Sequence, residues 1–329
     1  MAPPAGSGAV RRSGGVLLKG YSWPVAFIGG KGGVGKTTLA AAYALLCAGR
    51  GERTLVVSTD PAHSLGDVLA EDLGERPRLV DGSLWAAEIS GADALDRRVA
   101  QVYEDAAEAL PRDVLPAVRR HLAHAASSPG MVESALADRL AELLGAVPGE
   151  WERLVVDSAP TGHLLRMLNL PALLTPWVEG LVRQRERTRG VDRMLAGLAG
   201  RNDEKPDPLL ERLRARRARL AETERRLRED ATVHLVLLPE RVPLAETVRA
   251  AEQLTAAGMC LGRLVVNRVV PSWEGGLLAA RRTHQDEVLA RARDHFVGLG
   301  MVQVPLMPGE LTTRGELAGI SEILRHDGW

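Results

Sequence analysis

Cysteine is nearly absent: the 329 residues contain only Cys47 and Cys260, and no C-x-x-C occurs. That excludes a disulfide framework and a cysteine-based zinc site within one chain. Net charge is absent as well, with 42 basic and 42 acidic residues, so no global field recruits nucleic acid or a membrane surface. Long apolar runs are missing too. The longest, Leu39 to Gly49, is too short to span a bilayer, and the first 20 residues hold Pro, Gly and two Arg without an apolar core. Residues 1–20 therefore read as a disordered tail, and the protein as cytoplasmic. Lysine is scarce: Lys19, Lys31, Lys36 and Lys205 stand against 38 arginines. Two of these four lysines fall within six residues of each other, inside one glycine-rich stretch.

That stretch is Gly29-Gly30-Lys31-Gly32-Gly33-Val34-Gly35-Lys36-Thr37-Thr38. It satisfies G-x-x-x-x-G-K-[ST] from Gly30 to Thr37, after the apolar run Val25–Ile28 and before an Ala/Leu-rich segment read as a helix starting near Thr38. Glycines let the backbone curl so that successive N–H groups point inward around a polyphosphate, and the following helix turns its positive end to the same anion. Gly32, Gly33, Val34, Gly35, Lys36, Thr37 and Thr38 are the expected nucleotide cradle, with Lys36 on the β/γ oxygens and the Thr37 hydroxyl on Mg²⁺. The expected ligand is a nucleoside triphosphate.

Short β-branched runs recur at Val25–Ile28, Thr54–Thr59, Leu84–Ile89, Leu154–Asp157, Val233–Leu238, Leu264–Asn267 and Met301–Val304, mostly separated by helical stretches. The expected fold is α/β: a mostly parallel sheet with helices on both faces, with ligands beyond the carboxyl ends of the strands. Two intervals, about 93–147 and 171–230, carry helical spacing without strand signal and are expected to form an inserted helical subdomain of one ATPase domain spanning 21–329. In the second interval Leu213, Leu220 and Leu227 repeat every seven residues, which fits either ordinary helix packing or a surface that handles a client.

Two further strand ends carry carboxylates. Asp60 in Ser58-Thr59-Asp60-Pro61-Ala62-His63-Ser64 can orient an attacking water, or can simply belong to an Asp-Pro turn. Asp157, ending Leu154-Val155-Val156-Asp157, has the Walker-B arrangement for the outer shell of Mg²⁺, or alternatively caps a helix.

The extra lysine, Lys31, resembles the deviant Walker-A class of dimeric ATPases. Asp60 to Ser64 and Asp157-Ser158-Ala159-Pro160-Thr161-Gly162-His163-Leu164-Leu165-Arg166 resemble the anion-transporting ATPase family, which includes the arsenite-pump ATPase and the ATPase that targets tail-anchored membrane proteins. The similarity continues through Ser128-Pro129-Gly130-Met131, Leu238-Pro239-Glu240, Val266-Asn267-Arg268 and Pro305-Leu306-Met307-Pro308-Gly309-Glu310. The resemblance implies an ATP- and Mg²⁺-dependent hydrolase working as an ATP-gated homodimer, or paired with a paralogous subunit. In it Lys31 would reach the partner's nucleotide, Asp60 would orient water, and Thr37 and Asp157 would hold the metal. Asn267 would read the adenine edge, with Glu240 nearby and Pro305 and Met307 lining base and ribose; from the residues alone Asn267 is only a polar strand end. The output would be capture and release of a hydrophobic membrane-protein client, or the energising of an oxyanion transport system, or regulation. The chain departs from the family's pump in lacking the metalloid-binding cysteines, and from its targeting ATPase in having no cysteine from Ser272 to Glu287, so no zinc is expected.

Overall fold

The computed structural model describes residues 23–62, 64–109, 112–126, 130–198, 207–309 and 313–329. The tail over 1–20, His63, Ser128, Pro129 and Glu310 lie outside them. Strands β1 (Val25–Gly30), β2 (Thr54–Ser58), β3 (Arg78–Asp81), β4 (Leu84–Glu88), β5 (Arg153–Asp157), β6 (Ala231–Leu237), β7 (Cys260–Val269) and β8 (Met301–Pro305) form one sheet in the order β3-β4-β2-β5-β1-β6-β7-β8. Every neighbouring pair is parallel except β3–β4.

The parallel core strands are buried along their whole length, as β1, β2, β5 and β6 show. Their alternate residues feed two different cores. Val25, Phe27, Leu55, Val57, Leu154 and Val156 face one layer, and Ala26, Ile28, Val56 and Val155 face the other. A strand covered on both faces has no solvent side to be polar, which is why these segments read as unbroken apolar runs. On the second face pack α1 (Lys36–Gly49), α2 (Ser64–Leu69) and α10 (Arg314–His326), contributing Leu39, Leu46, Leu65, Leu69, Leu317 and Ile320. On the first pack α5 (Met131–Gly145), α6 (Thr161–Leu198), α7 (Pro208–Glu229), α8 (Arg241–Ala256) and α9 (Gly276–His295).

Seven strands were expected, and the described residues form eight. The missed one, β3, is a short antiparallel edge with only Val80 buried, so it lacked the apolar run that marks the others. Its signal was the Asp81-Gly82 pair before β4, with Gly82 at φ 46. β7 also runs past the expected Leu264–Asn267 at both ends, so that Asn267 lies inside the strand rather than closing it. Beyond it Arg268 takes a left-handed φ of 57 and the register with β8 shifts.

Helices fill both strand-free intervals: α3 (Gly91–Ala109), α4 (Leu115–Ala126) and α5 in the first, and α6 and α7 in the second. The α6 helix starts at Thr161, ten residues before the expected change of pattern, and passes through Pro171 and Pro176. The Thr175 hydroxyl also donates to the Pro171 carbonyl at 2.8 Å, one turn back along the helix. On α7 the heptad leucines Leu220 and Leu227 are buried within the chain and Leu213 is half-buried, so this stripe is ordinary helix packing. On α6, by contrast, Leu173 is 69% and Met194 71% exposed, and Val191 is exposed as well.

Candidate functional site

β1, the central strand, delivers the chain into the glycine-rich loop, and α1 begins directly at Lys36. Gly33 and Gly35 take φ values of 79 and 92, a left-handed region that only glycine enters cheaply. Gly35 is further constrained, since a Cβ there would lie 2.4 Å from Nδ2 of Asn267. Over Gly32 and Gly33 the space is open, as a concave anion cradle requires. The Lys36 side chain is buried, with Nζ 3.4 Å from the Lys31 carbonyl and 3.9 Å from Asp60.

Two strand ends and the start of α1 meet at Asp157. Thr37 Oγ1 donates to its Oδ2 at 2.8 Å and Ser58 Oγ donates to the same oxygen at 2.9 Å. The other oxygen, Oδ1, is buried and has no hydrogen-bond partner among the described residues. Burial pushes the carboxyl up to about 6, against the opposing pull of the two hydroxyls and of Lys36. A buried carboxylate with one unpartnered oxygen beside a threonine hydroxyl is the donor set that suits a hydrated hard cation, so these residues fit Mg²⁺. Ser64 Oγ lies 3.2 Å from Thr37 Oγ1 and completes a hydroxyl pair there.

Asp60 leaves β2 with its Oδ1 accepting from the Ala62 N–H at 3.1 Å. It is thus a turn former, and it also faces the loop lysine; the two sequence readings are compatible. Thr59 ties the two switch segments together, donating to the Asp157 carbonyl and accepting from the Ala159 N–H. A cavity of about 650 Å³ separates these segments from the helices, lined by Asp60, Pro61, Glu133, Pro160, His163 and Met167 among others. His163 Nδ1 approaches Glu133 of α5 to 3.9 Å across it.

The remaining predicted residues fall in two places. Asn267 is brought to the loop: its Nδ2 donates to the Val34 carbonyl at 2.8 Å and its Oδ1 accepts from the Arg268 N–H. Pro305 and Met307 flank Leu306, whose N–H bonds the Val269 carbonyl at 2.8 Å, so they sit beside the end of β7. Glu240 stands at the N-cap position of α8 without a side-chain cap bond and pairs with Arg281 of α9 at 3.2 Å on the surface. Thr38, in the first turn of α1, is half-buried.

Sequence reasoning missed Glu246. The ammonium of Lys31, 53% exposed, lies 3.1 Å from both carboxylate oxygens of this α8 residue. The two are 215 positions apart, and no local pattern announces the pair. Ser58 was missed as well; the signal available was its place at the end of an apolar strand.

The family model described as anion-transporting ATPase matches residues 24–326. An arsenical pump-driving ATPase 2 from Aquifex aeolicus is 29% identical over 301 residues, covering 91% of this chain and 98% of its own. An ATPase GET3 from Podospora anserina is 32% identical, covering 91% of this chain and 89% of its own, and an ATPase ASNA1 homolog from Dictyostelium discoideum is 28% identical. With the family model covering nearly the whole chain and the phosphate loop at the tip of the central strand, this protein belongs to the anion-transporting ATPase family and is an ATPase.

Proposed function

We propose that this protein is a Mg²⁺-dependent ATPase that closes with a second copy around ATP and uses the cycle to capture and release a hydrophobic client. The observation that carries the metal-dependent chemistry is the buried Asp157 with its unpartnered Oδ1 next to the Thr37 hydroxyl. When bound, the ion would shield the phosphate charge and polarise the scissile anhydride. The loop N–H groups and Lys36 hold the polyphosphate and stabilise the charge that builds on it. Asp60 accepts a proton-bearing water and aims it, its carboxylate already turned toward the loop. For Asn267 to read the base, its Nδ2 must exchange the Val34 carbonyl for the ring, with Pro305 and Met307 alongside.

Two features support coupling to the helices. The α6 helix begins within the Asp157–His163 segment, so displacement of that segment moves the helix. Leu173, Val191 and Met194 on the same helix are exposed apolar side chains that an apolar segment can cover. An arsenite-type transport role is the second reading, favoured by the naming of the Aquifex relative. Oxyanion-stimulated turnover without capture of an apolar peptide would select it, and a stable pair with a paralogous chain would select the regulatory alternative.

Lys31 tests the dimer directly. One loop directs one lysine at the phosphates of its own nucleotide, and here that lysine is the buried Lys36. The exposed Lys31 is left to serve another polyphosphate, that of a facing copy. Lys31→Ala should bind ATP as a monomer yet lose ATP-driven dimerisation and most hydrolysis. Sedimentation with Mg²⁺ and a non-hydrolysable ATP analogue checks this, and a wild-type shift to dimer in the variant removes the trans-acting role.

A further inference from the structure

The Lys31–Glu246 contact has a chemistry of its own. Lys31 is the only other ammonium on the loop, and its flexible four-carbon stem leaves it free to swing into the polyphosphate bound by Lys36. Such a swing satisfies its charge in cis and leaves none to offer outward. Against it stands a carboxylate touching the ammonium with both oxygens at 3.1 Å. That carboxylate is not on a loop. It projects from α8, which is rooted in the core by Leu244, Thr247, Ala250 and Leu254 and by the Thr247 hydroxyl on the Pro243 carbonyl at 2.8 Å. Lys31 and Glu246 together with Gly30, Thr161 and Arg249 line a cavity of about 300 Å³ outside the phosphate cradle.

We infer that Glu246 is a positioning residue for Lys31: it holds the ammonium away from its own nucleotide and at the rim, ready for the polyphosphate of a facing copy. The inference rests on the trans role proposed for Lys31. The pair is half-exposed, with side-chain exposures of 53% and 36%, so it orients the lysine without locking it. A phosphate carries more negative charge than one carboxylate, so Lys31 moves on when the second nucleotide arrives, and the fixed helix limits how far it has to travel.

The test compares wild type, Lys31→Ala, Glu246→Gln, Glu246→Ala and the Lys31→Ala/Glu246→Ala double variant. Dimer formation is followed by sedimentation with Mg²⁺ and a non-hydrolysable ATP analogue, and monomer affinity by titrating dilute protein with a fluorescent ATP analogue. Each Glu246 variant should weaken closure by about threefold to tenfold, one partly exposed pair being lost from each subunit. Its monomer affinity should stay within about twofold of wild type, because Lys36 and the loop are untouched. The double variant should close no worse than Lys31→Ala alone, since Glu246 acts only through that lysine. Closure at wild-type strength in both Glu246 variants overturns the inference. Tighter closure also overturns it and makes Glu246 a latch that restrains the lysine. Losses that add to those of Lys31→Ala overturn it too, giving Glu246 a role independent of the lysine. Normal closure of Lys31→Ala itself is a separate result, which removes the trans reading and this inference with it.

Discussion

Asp157 carries the strongest conflict between stability and function at a single residue. Its carboxyl is raised from 3.8 to about 6 because burial disfavours the charge more than Thr37, Ser58 and Lys36 favour it. A group raised in the folded state binds its proton more tightly there than when unfolded. Its contribution is therefore full below the unfolded value near 4 and is lost as pH rises through about 6. Asp157→Asn keeps an acceptor for the two hydroxyls without the buried charge. Without nucleotide at pH 7 the variant should be more stable than wild type by about 2–3 kcal/mol, the upper bound from a shift of this size. The advantage should vanish toward pH 4. Paired thermal melts across pH 4 to 7.5 measure it, and a difference that does not change with pH refutes the assignment. The same variant should lose Mg²⁺-dependent turnover.

At Asp60 the observed turn bond and the proposed role toward water can be separated. Asn in its place can still accept from the Ala62 N–H, so the turn survives, but it cannot take a proton from water. Asp60→Asn should keep nucleotide affinity and lower kcat by about 10²-fold or more. Single-turnover hydrolysis checks it; an unchanged kcat leaves Asp60 with the turn alone.

At the scale of elements, the proposed coupling of chemistry to output runs through α6. Its first turn follows Asp157 to Pro160, and its later turns alternate buried Val178 and Val182 with exposed Leu173, Val191 and Met194. Leu173→Asp removes apolar surface that the described residues leave 69% exposed. Stability should change by less than about 0.5 kcal/mol, as for surface sites generally. Binding of an apolar transmembrane-like peptide in the presence of the ATP analogue should weaken by about tenfold, the worth of one large side chain leaving an apolar interface. Unaltered peptide binding would show that this part of α6 is not the client surface.

For the whole molecule, the proposed dimer raises the question of what would hold two copies together. Cys47 is buried on α1, where burial pushes its thiol up to about 11, while Cys260 begins β7. With no second cysteine near either in sequence, a shared metal bridge has no cysteine cluster to draw on, and the proposed closure would rest on nucleotide and packing. Purified dimer should contain no stoichiometric zinc by elemental analysis and should dissociate when Mg-ATP is removed, not when a chelator of zinc is added. No helix among the described residues is long and apolar enough to cross a membrane.

What the sequence alone determined is what local chemistry carries. The phosphate loop is contiguous, with its glycines, Lys36 and Thr37 fixed by their own spacing. The buried strands announce themselves because a strand covered on both faces has no polar side. Where burial is partial the signal fades, as in β3, with one buried residue among four. The tertiary structure decided whatever joins distant positions. It joined Asn267 to Val34 across 233 residues, Asp157 to Thr37 across 120 and Lys31 to Glu246 across 215. It also decided that Leu220 and Leu227 of α7 are buried inside the chain while α6 keeps apolar side chains outside. A helix's period states that it has an apolar face, but what covers that face depends on how the sheet places the neighbouring helices.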